Sequence, residues 1–153
     1  MLGYLEARVV RPLIENQTLL ILCATTMVVM MGQGIISPVL PLYAQSFGVG
    51  TAMIGLTIAV FGAARLVVNL PAGFISERYG RRVLLFGGPA VTALGSLASG
   101  LAPSFGWLIA SRFVAGAGSA MYMTGAIIIL TDITTDENRG RLMSIYQGSI
   151  LMG

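Results

Sequence analysis

The chain has no lysine, no histidine and a single cysteine among its 153 residues. Charge is scarce altogether: charged residues make up 10% of the chain, where a soluble domain carries about 25%. Each shortage closes off a class of protein. Cys23 has no partner within the chain, so no disulfide framework is available, and a packed free thiol inside an apolar run is the expected state. There is no metal-ligand cluster, no nucleophile–base pair and no glycine-rich phosphate loop. Neither a metal, a cofactor nor an enzymatic reaction is therefore expected. The formal charge of +3 does not point to nucleic acid, because the arginines form no clustered stripe with aromatics. The start of the chain does not read as a good signal peptide. Glu6 and Glu15 are acidic, and the apolar run that follows is too long for such a leader.

What the chain does have is long stretches without charge. No Asp, Glu, Lys or Arg occurs from Asn16 to Ala64, from Val83 to Ser111, or from Phe113 to Thr131. About 20 helical residues cross the hydrocarbon core of a bilayer. Hydrocarbon offers no partner to backbone polar groups, so a spanning segment must be a helix or part of a closed barrel. The runs show no alternation of polar and apolar residues, which selects the helix. The expected fold is an all-α membrane protein with spans at about 18–43, 52–76, 83–102 and 105–131. Residues 1–17 are expected to precede the bundle as a cytoplasmic segment, and 18–153 to form an incomplete bundle. Pro38 and Pro41 are expected to bend or end the first span, and Pro103-Ser104 to separate the third from the fourth. From 142 to 153 an apolar pattern restarts. It is too short to cross a bilayer, so it is expected to be the start of a fifth helix.

Orientation follows from the nine arginines. Arg8 and Arg11 precede span one, Arg78, Arg81 and Arg82 join spans two and three, and Arg139 and Arg141 follow span four. The other two connections carry none. The positive-inside rule places the arginine-bearing side, and with it the amino terminus, in the cytoplasm. The Asn16-Gln17-Thr18 sequon would then face the wrong side for glycosylation.

Arg65 and Arg112 remain, both inside spans. An arginine at such depth costs about 2.5–3.5 kcal/mol on insertion scales and normally faces a partner or a polar cavity. No acidic residue within the four spans is available to either. Asn69 follows Arg65 by four residues and shares its helix face. On span one, Thr26, Met30, Gln33 and Ser37 form a weakly polar stripe, suited equally to lining an aqueous path or to hydrogen bonding between helices. Gly95, Ser96, Ser99 and Gly100 on span three, and Gly116, Gly118, Ser119 and Ala120 on span four, favour close helix packing.

The segment Gly73-Phe74-Ile75-Ser76-Glu77-Arg78-Tyr79-Gly80-Arg81-Arg82 is the most specific in the chain. Its two glycines suit a tight turn and close approach of the next helix. A carboxylate beside three guanidinium groups offers an ion network at the membrane surface. This segment resembles the signature between helices two and three of the major facilitator superfamily, with Glu77 where the family more often has Asp. Leu108, Arg112, Gly116 and Gly118 are similar to the helix-four motif of drug/proton antiporters, with Ala115 where that motif usually has Gln. Gly32, Pro38 and Pro41 resemble the helix-one motif of the twelve-helix antiporters.

The resemblance implies a fold of two six-helix halves with substrate near the midplane. This chain would supply four helices and the start of a fifth from the first half, and would depend on a carboxy-terminal remainder. It implies a switch-loop role for Gly73, Glu77, Arg78, Gly80, Arg81, Arg82 and Asp132. It implies proton coupling or cavity lining for Arg112, with Arg65, Asn69 and Gln33 as cavity candidates, and packing or hinge roles for Pro38, Pro41, Gly116 and Gly118. The activity implied is proton-coupled efflux of small amphipathic compounds by alternating access across a bacterial cytoplasmic membrane. The partners would be a small-molecule substrate, protons and the lipid bilayer. A facilitator-type carrier for sugars or other metabolites is the first alternative, and a non-transporting four-helix scaffold the second. Small dimeric four-helix multidrug transporters need a carboxylate in the first span, and this first span has none.

Overall fold

The computed structural model describes residues 11–136 and 138–153, with side chains from Gln17 onward. These residues form five helices: α1 (Arg11–Gln45), α2 (Thr51–Tyr79), α3 (Arg81–Gly100), α4 (Phe105–Ile133) and α5 (Arg139–Met152). The first four are long and apolar enough to cross a membrane. Their outward surfaces carry large apolar side chains, among them Leu66, Leu70, Phe74, Phe86 and Leu97. Such surfaces suit hydrocarbon and not water. The chain is an all-helical integral membrane protein.

Helix α1 starts earlier than the first charge-free run. From Arg11 the chain is already helical, while the first ten residues of the expected cytoplasmic segment lie outside the described ones. Pro38 and Pro41 do not end this helix, which continues to Gln45. Proline removes one backbone bond and crowds the preceding turn, but membrane helices tolerate it when neighbours satisfy the freed carbonyl. Pro71 and Pro89 likewise lie inside α2 and α3. What stops α1 is the turn after it. Gly48 adopts a positive φ of 70°, and its N–H donates to the Gln45 carbonyl at 2.9 Å. At the expected break before α4, the Ser104 hydroxyl accepts the Trp107 N–H at 3.3 Å.

Tertiary contacts divide the chain into one unit of residues up to Ile35 with Leu130–Gly153, and another of Ile36–Ile129. In the first, Leu19, Leu22, Thr26, Leu130 and Tyr146 are buried. The Thr26 hydroxyl donates to the Leu22 carbonyl at 2.7 Å, and the Tyr146 side chain is hydrogen-bonded to Thr26.

In the second unit α4 is the inner helix. Half of its apolar window is buried, against 17–28% in the other three spans. It meets α3 backbone to backbone. A Cβ built on Gly95 would lie 2.5 Å from the Ala115 nitrogen, one on Gly88 2.6 Å from the Tyr122 nitrogen, and one on Gly118 2.5 Å from the Thr92 nitrogen. Glycine permits this approach because any side chain would hold the helices apart. Where α1 and α3 end and α2 and α4 begin, Leu40, Ala44, Ile54, Ala102 and Leu108 form an apolar core. Tyr43 closes it. Its ring meets Phe47 edge-on at 5.3 Å, and its hydroxyl lies 3.3 Å from the Gly100 and Ala102 carbonyls at the end of α3.

Candidate functional site

Arg112 is the most unusual side chain in the second unit. It lies seven residues into α4, about 10 Å along the helix, and is only 8% exposed. Its Nε is buried without a hydrogen-bond partner among the described residues. Its guanidinium carbon sits 5.0 Å from the centroid of the Phe61 ring on α2, within cation–π range. One turn further along α4, Gly116 brings the two backbones together. A Cβ there would lie 2.5 Å from the Phe61 carbonyl and 3.0 Å from the Ala64 Cβ. The crossing of α2 over α4 therefore fixes the Phe61 backbone beside Arg112.

The other intramembrane candidates fall along the same stripe of α2. Phe61, Arg65 and Asn69 are spaced four residues apart and share a helix face. The Asn69 side-chain oxygen accepts the Thr124 hydroxyl of α4 at 3.3 Å. Arg65, half-buried between these two contacts, makes no ion pair with a described residue. The structure thus brings Arg112 to Phe61 and Asn69 to Thr124, but does not bond Arg65 to Asn69. Phe61 and Thr124 were not legible as site residues. The signal for Phe61 is an aromatic ring one turn before Arg65, in a stretch of α2 that otherwise has none.

Ala115 accounts locally for the departure from the helix-four pattern. It is fully buried, with its backbone packed on Gly95 of α3. Arg112 and Gly116 face α2, whereas Ala115 faces α3, where no long side chain fits. Gly118 lies on the α3 side too, against Thr92 and Gly88.

The segment expected to be a two-glycine turn is built differently. Gly73 is inside α2, and a Cβ on it would meet nothing within 4 Å, so it neither turns the chain nor admits a neighbour. A helix this long carries its apolar pattern straight through Gly73, leaving Gly80 alone between α2 and α3. Gly80 has φ 86° and ψ 155°, a conformation reserved for glycine. Its N–H donates to the Ser76 carbonyl at 3.0 Å. Around this joint Gly73, Ser76, Glu77, Arg81 and Arg82 border a recess of ≈ 720 Å³. The Arg78 guanidinium lies 5.7 Å from the Tyr79 ring, and among the described residues Glu77 forms no ion pair.

Gln33 is half-buried on α1 and Asp132 lies in the last turn of α4, both in the first unit. Pro38 and Pro41 belong to the part of α1 in the second unit.

Comparison with known proteins bears on the family of the chain. The family model of the Major Facilitator Superfamily matches residues 22–153. The inner membrane transport protein YajR of Escherichia coli (strain K12) is 34% identical over 116 residues, which cover 75% of this chain and 25% of that protein. Protein spinster homolog 1 of Homo sapiens is 31% identical over 135 residues, 87% of this chain and 26% of its own length. Multidrug resistance protein 1 of Bacillus subtilis (strain 168) is 26% identical over 139 residues, 91% of this chain and 36% of its own length. The chain therefore spans about a quarter to a third of these relatives.

Proposed function

The chain belongs to the major facilitator superfamily of membrane transporters, and from that premise we propose that it forms part of a proton-coupled exporter of small amphipathic compounds. The observation that carries this reading is Arg112. An arginine only 8% exposed, with an unsatisfied Nε and the Phe61 ring face against its guanidinium, is costly to keep in a membrane bundle. A permanent charge there makes sense if an anionic partner arrives during the transport cycle. It would then favour the ionised form of a carboxylate and help drive its proton off. The charge-free runs contain no such carboxylate. We place it in the rest of the transporter, whose relatives are three to four times as long as the matched segment.

In this reading the amino terminus and the Gly80 joint face the cytoplasm of a bacterial cell, and the arginine distribution supports that orientation. Glu77, Arg78, Arg81, Arg82 and Asp132 act at that surface in switching between outward- and inward-facing states. Arg65, Asn69 and Gln33 line the path. The likeness to the Bacillus subtilis multidrug resistance protein supports efflux of drug-like compounds. The higher identity to YajR and to spinster homolog 1 supports a second reading, a carrier of another small-molecule class.

Arg112→Ala in the intact transporter tests the reading. Ethidium efflux driven by an imposed proton gradient in inverted vesicles is expected to fall to background at unchanged protein level. Wild-type efflux by this variant would remove Arg112 from the coupling mechanism.

A further inference from the structure

We infer that Phe61 is the resting partner of Arg112: its ring face holds the buried guanidinium between visits of an oxyanion, and gives it up when the oxyanion binds. The inference deepens the coupling role proposed for Arg112 and rests on that reading. The geometry is specific. The guanidinium carbon lies 5.0 Å from the ring centroid, the arginine is 8% exposed, and Nε has no hydrogen-bond acceptor among the described residues. In this state Gly116 seats α4 directly on the Phe61 carbonyl, which holds the ring beside the guanidinium.

An aromatic face suits this task better than a carboxylate would. It attracts the cation through its quadrupole without accepting any of the five guanidinium N–H groups. Those donors stay available for a carboxylate or another planar oxyanion, which binds a guanidinium in a two-bond fork. A fixed Asp or Glu would occupy the fork and neutralise the charge that the coupling role requires. Phe61 is thus a positioning residue. It keeps Arg112 folded against α2 when no anion is present, and it is displaced because a bidentate pair outcompetes a ring face. Arg65, one turn further along α2, has no described ring above its guanidinium and serves as an internal reference.

The test keeps shape constant and varies the quadrupole. In the intact transporter, Phe61 is replaced by its 4-fluoro, 3,5-difluoro and 3,4,5-trifluoro analogues, which pack alike but weaken the ring face in steps. The readout is the rate at which phenylglyoxal modifies Arg112 in the purified protein, followed by mass spectrometry. The rate is expected to climb with each fluorine to about tenfold, equivalent to about 1.4 kcal/mol, while the Arg65 rate stays constant. Phe61→Leu, monodisperse on size exclusion, is expected to match or exceed the trifluoro analogue. A flat fluorine series, or wild-type protection of Arg112 in Phe61→Leu, would overturn the assignment. The coupling role is read separately from Arg112→Ala efflux. Loss of efflux with a flat fluorine series removes Phe61 alone, whereas retained efflux with a graded series removes the coupling role alone.

Discussion

Replacing Gly118 by alanine adds one methyl group where α3 and α4 have no room for it. The new Cβ would lie 2.5 Å from the Thr92 nitrogen, 2.6 Å from the Gly88 carbonyl oxygen and 2.7 Å from the Thr92 hydroxyl. Two of these three atoms are α3 backbone, so no rotamer change relieves the clash. Ordinary contact begins near 3.4 Å, so the helices must part by about 1 Å, and a gap of that size forfeits about a quarter to a half of each affected dispersion well. The neighbouring seats at Gly88–Tyr122 and Gly95–Ala115 would open with it. Overpacking of a well-filled interface costs about 1–3 kcal/mol, and the upper end applies to a backbone clash. Alanine recovers about 1 kcal/mol of helix propensity over glycine, which leaves about 2 kcal/mol of net destabilisation. Thermal unfolding of the detergent-solubilised protein by circular dichroism measures it. Gly87→Ala is the control: it lies on α3 with nothing within 4 Å of its built Cβ, and is expected to be neutral or slightly stabilising. Equal midpoints for the two variants would refute the backbone-contact argument.

Two other substitutions separate positions that look alike in sequence. Gly80→Ala is expected to cost about 1–3 kcal/mol, because φ 86° with ψ 155° is closed to a side chain. Gly73→Ala, at the other glycine of the same segment, should leave the unfolding midpoint unchanged or raise it, and a reversed order would show that the turn is not where the structure has it. Ala115→Gln restores the residue usual in the helix-four motif but forces a long polar side chain against Gly95. It should lower the midpoint by an amount matching about 2 kcal/mol or more, and a neutral effect would mean that α3 yields there.

The membrane spans were legible because charge is the strongest signal a hydrocarbon-embedded chain can withhold. Three charge-free runs and the distribution of arginines were enough to count four helices. Helix ends were less legible, since no single local signal decides them. Pro38 and Pro41 read as a bend or an end, and of the two the end is excluded, since a helix in a bundle continues past a proline when the freed carbonyls are satisfied. Gly73 and Gly80 read as one turn because sequence shows the residue type and not its φ. The small residues of α3 and α4 announced close packing, but the most tightly seated glycines included Gly88 and Gly125, which lie outside the clusters that composition picks out. Arg112 stood out as a buried charge, and its neighbour did not. A cation–π partner on another helix leaves no spacing pattern relative to Arg112, and the one mark of Phe61 is a ring a turn before Arg65.

The two faces of α4 explain how so little polar material holds a buried charge in place. Ser111, Ala115, Gly118, Tyr122 and Gly125 recur at intervals of three and four residues and meet α3. The Ser111 hydroxyl shares a hydrogen bond with that of Ser99 at 2.9 Å. Arg112 and Gly116 lie on the adjoining face and meet α2. The α3 face is locked by backbone contacts that a shift of one ångström would break, so α3 and α4 behave as one block. On the α2 face the described contacts include the Gly116 seat, the ring-to-guanidinium contact and the Thr124–Asn69 hydrogen bond. Arg112 therefore meets α2 through a side-chain contact, while α4 meets α3 through backbone contacts. The helix that carries Phe61 is also the one that leads into Gly80, so the joint between α2 and α3 and the environment of Arg112 are linked through a single helix.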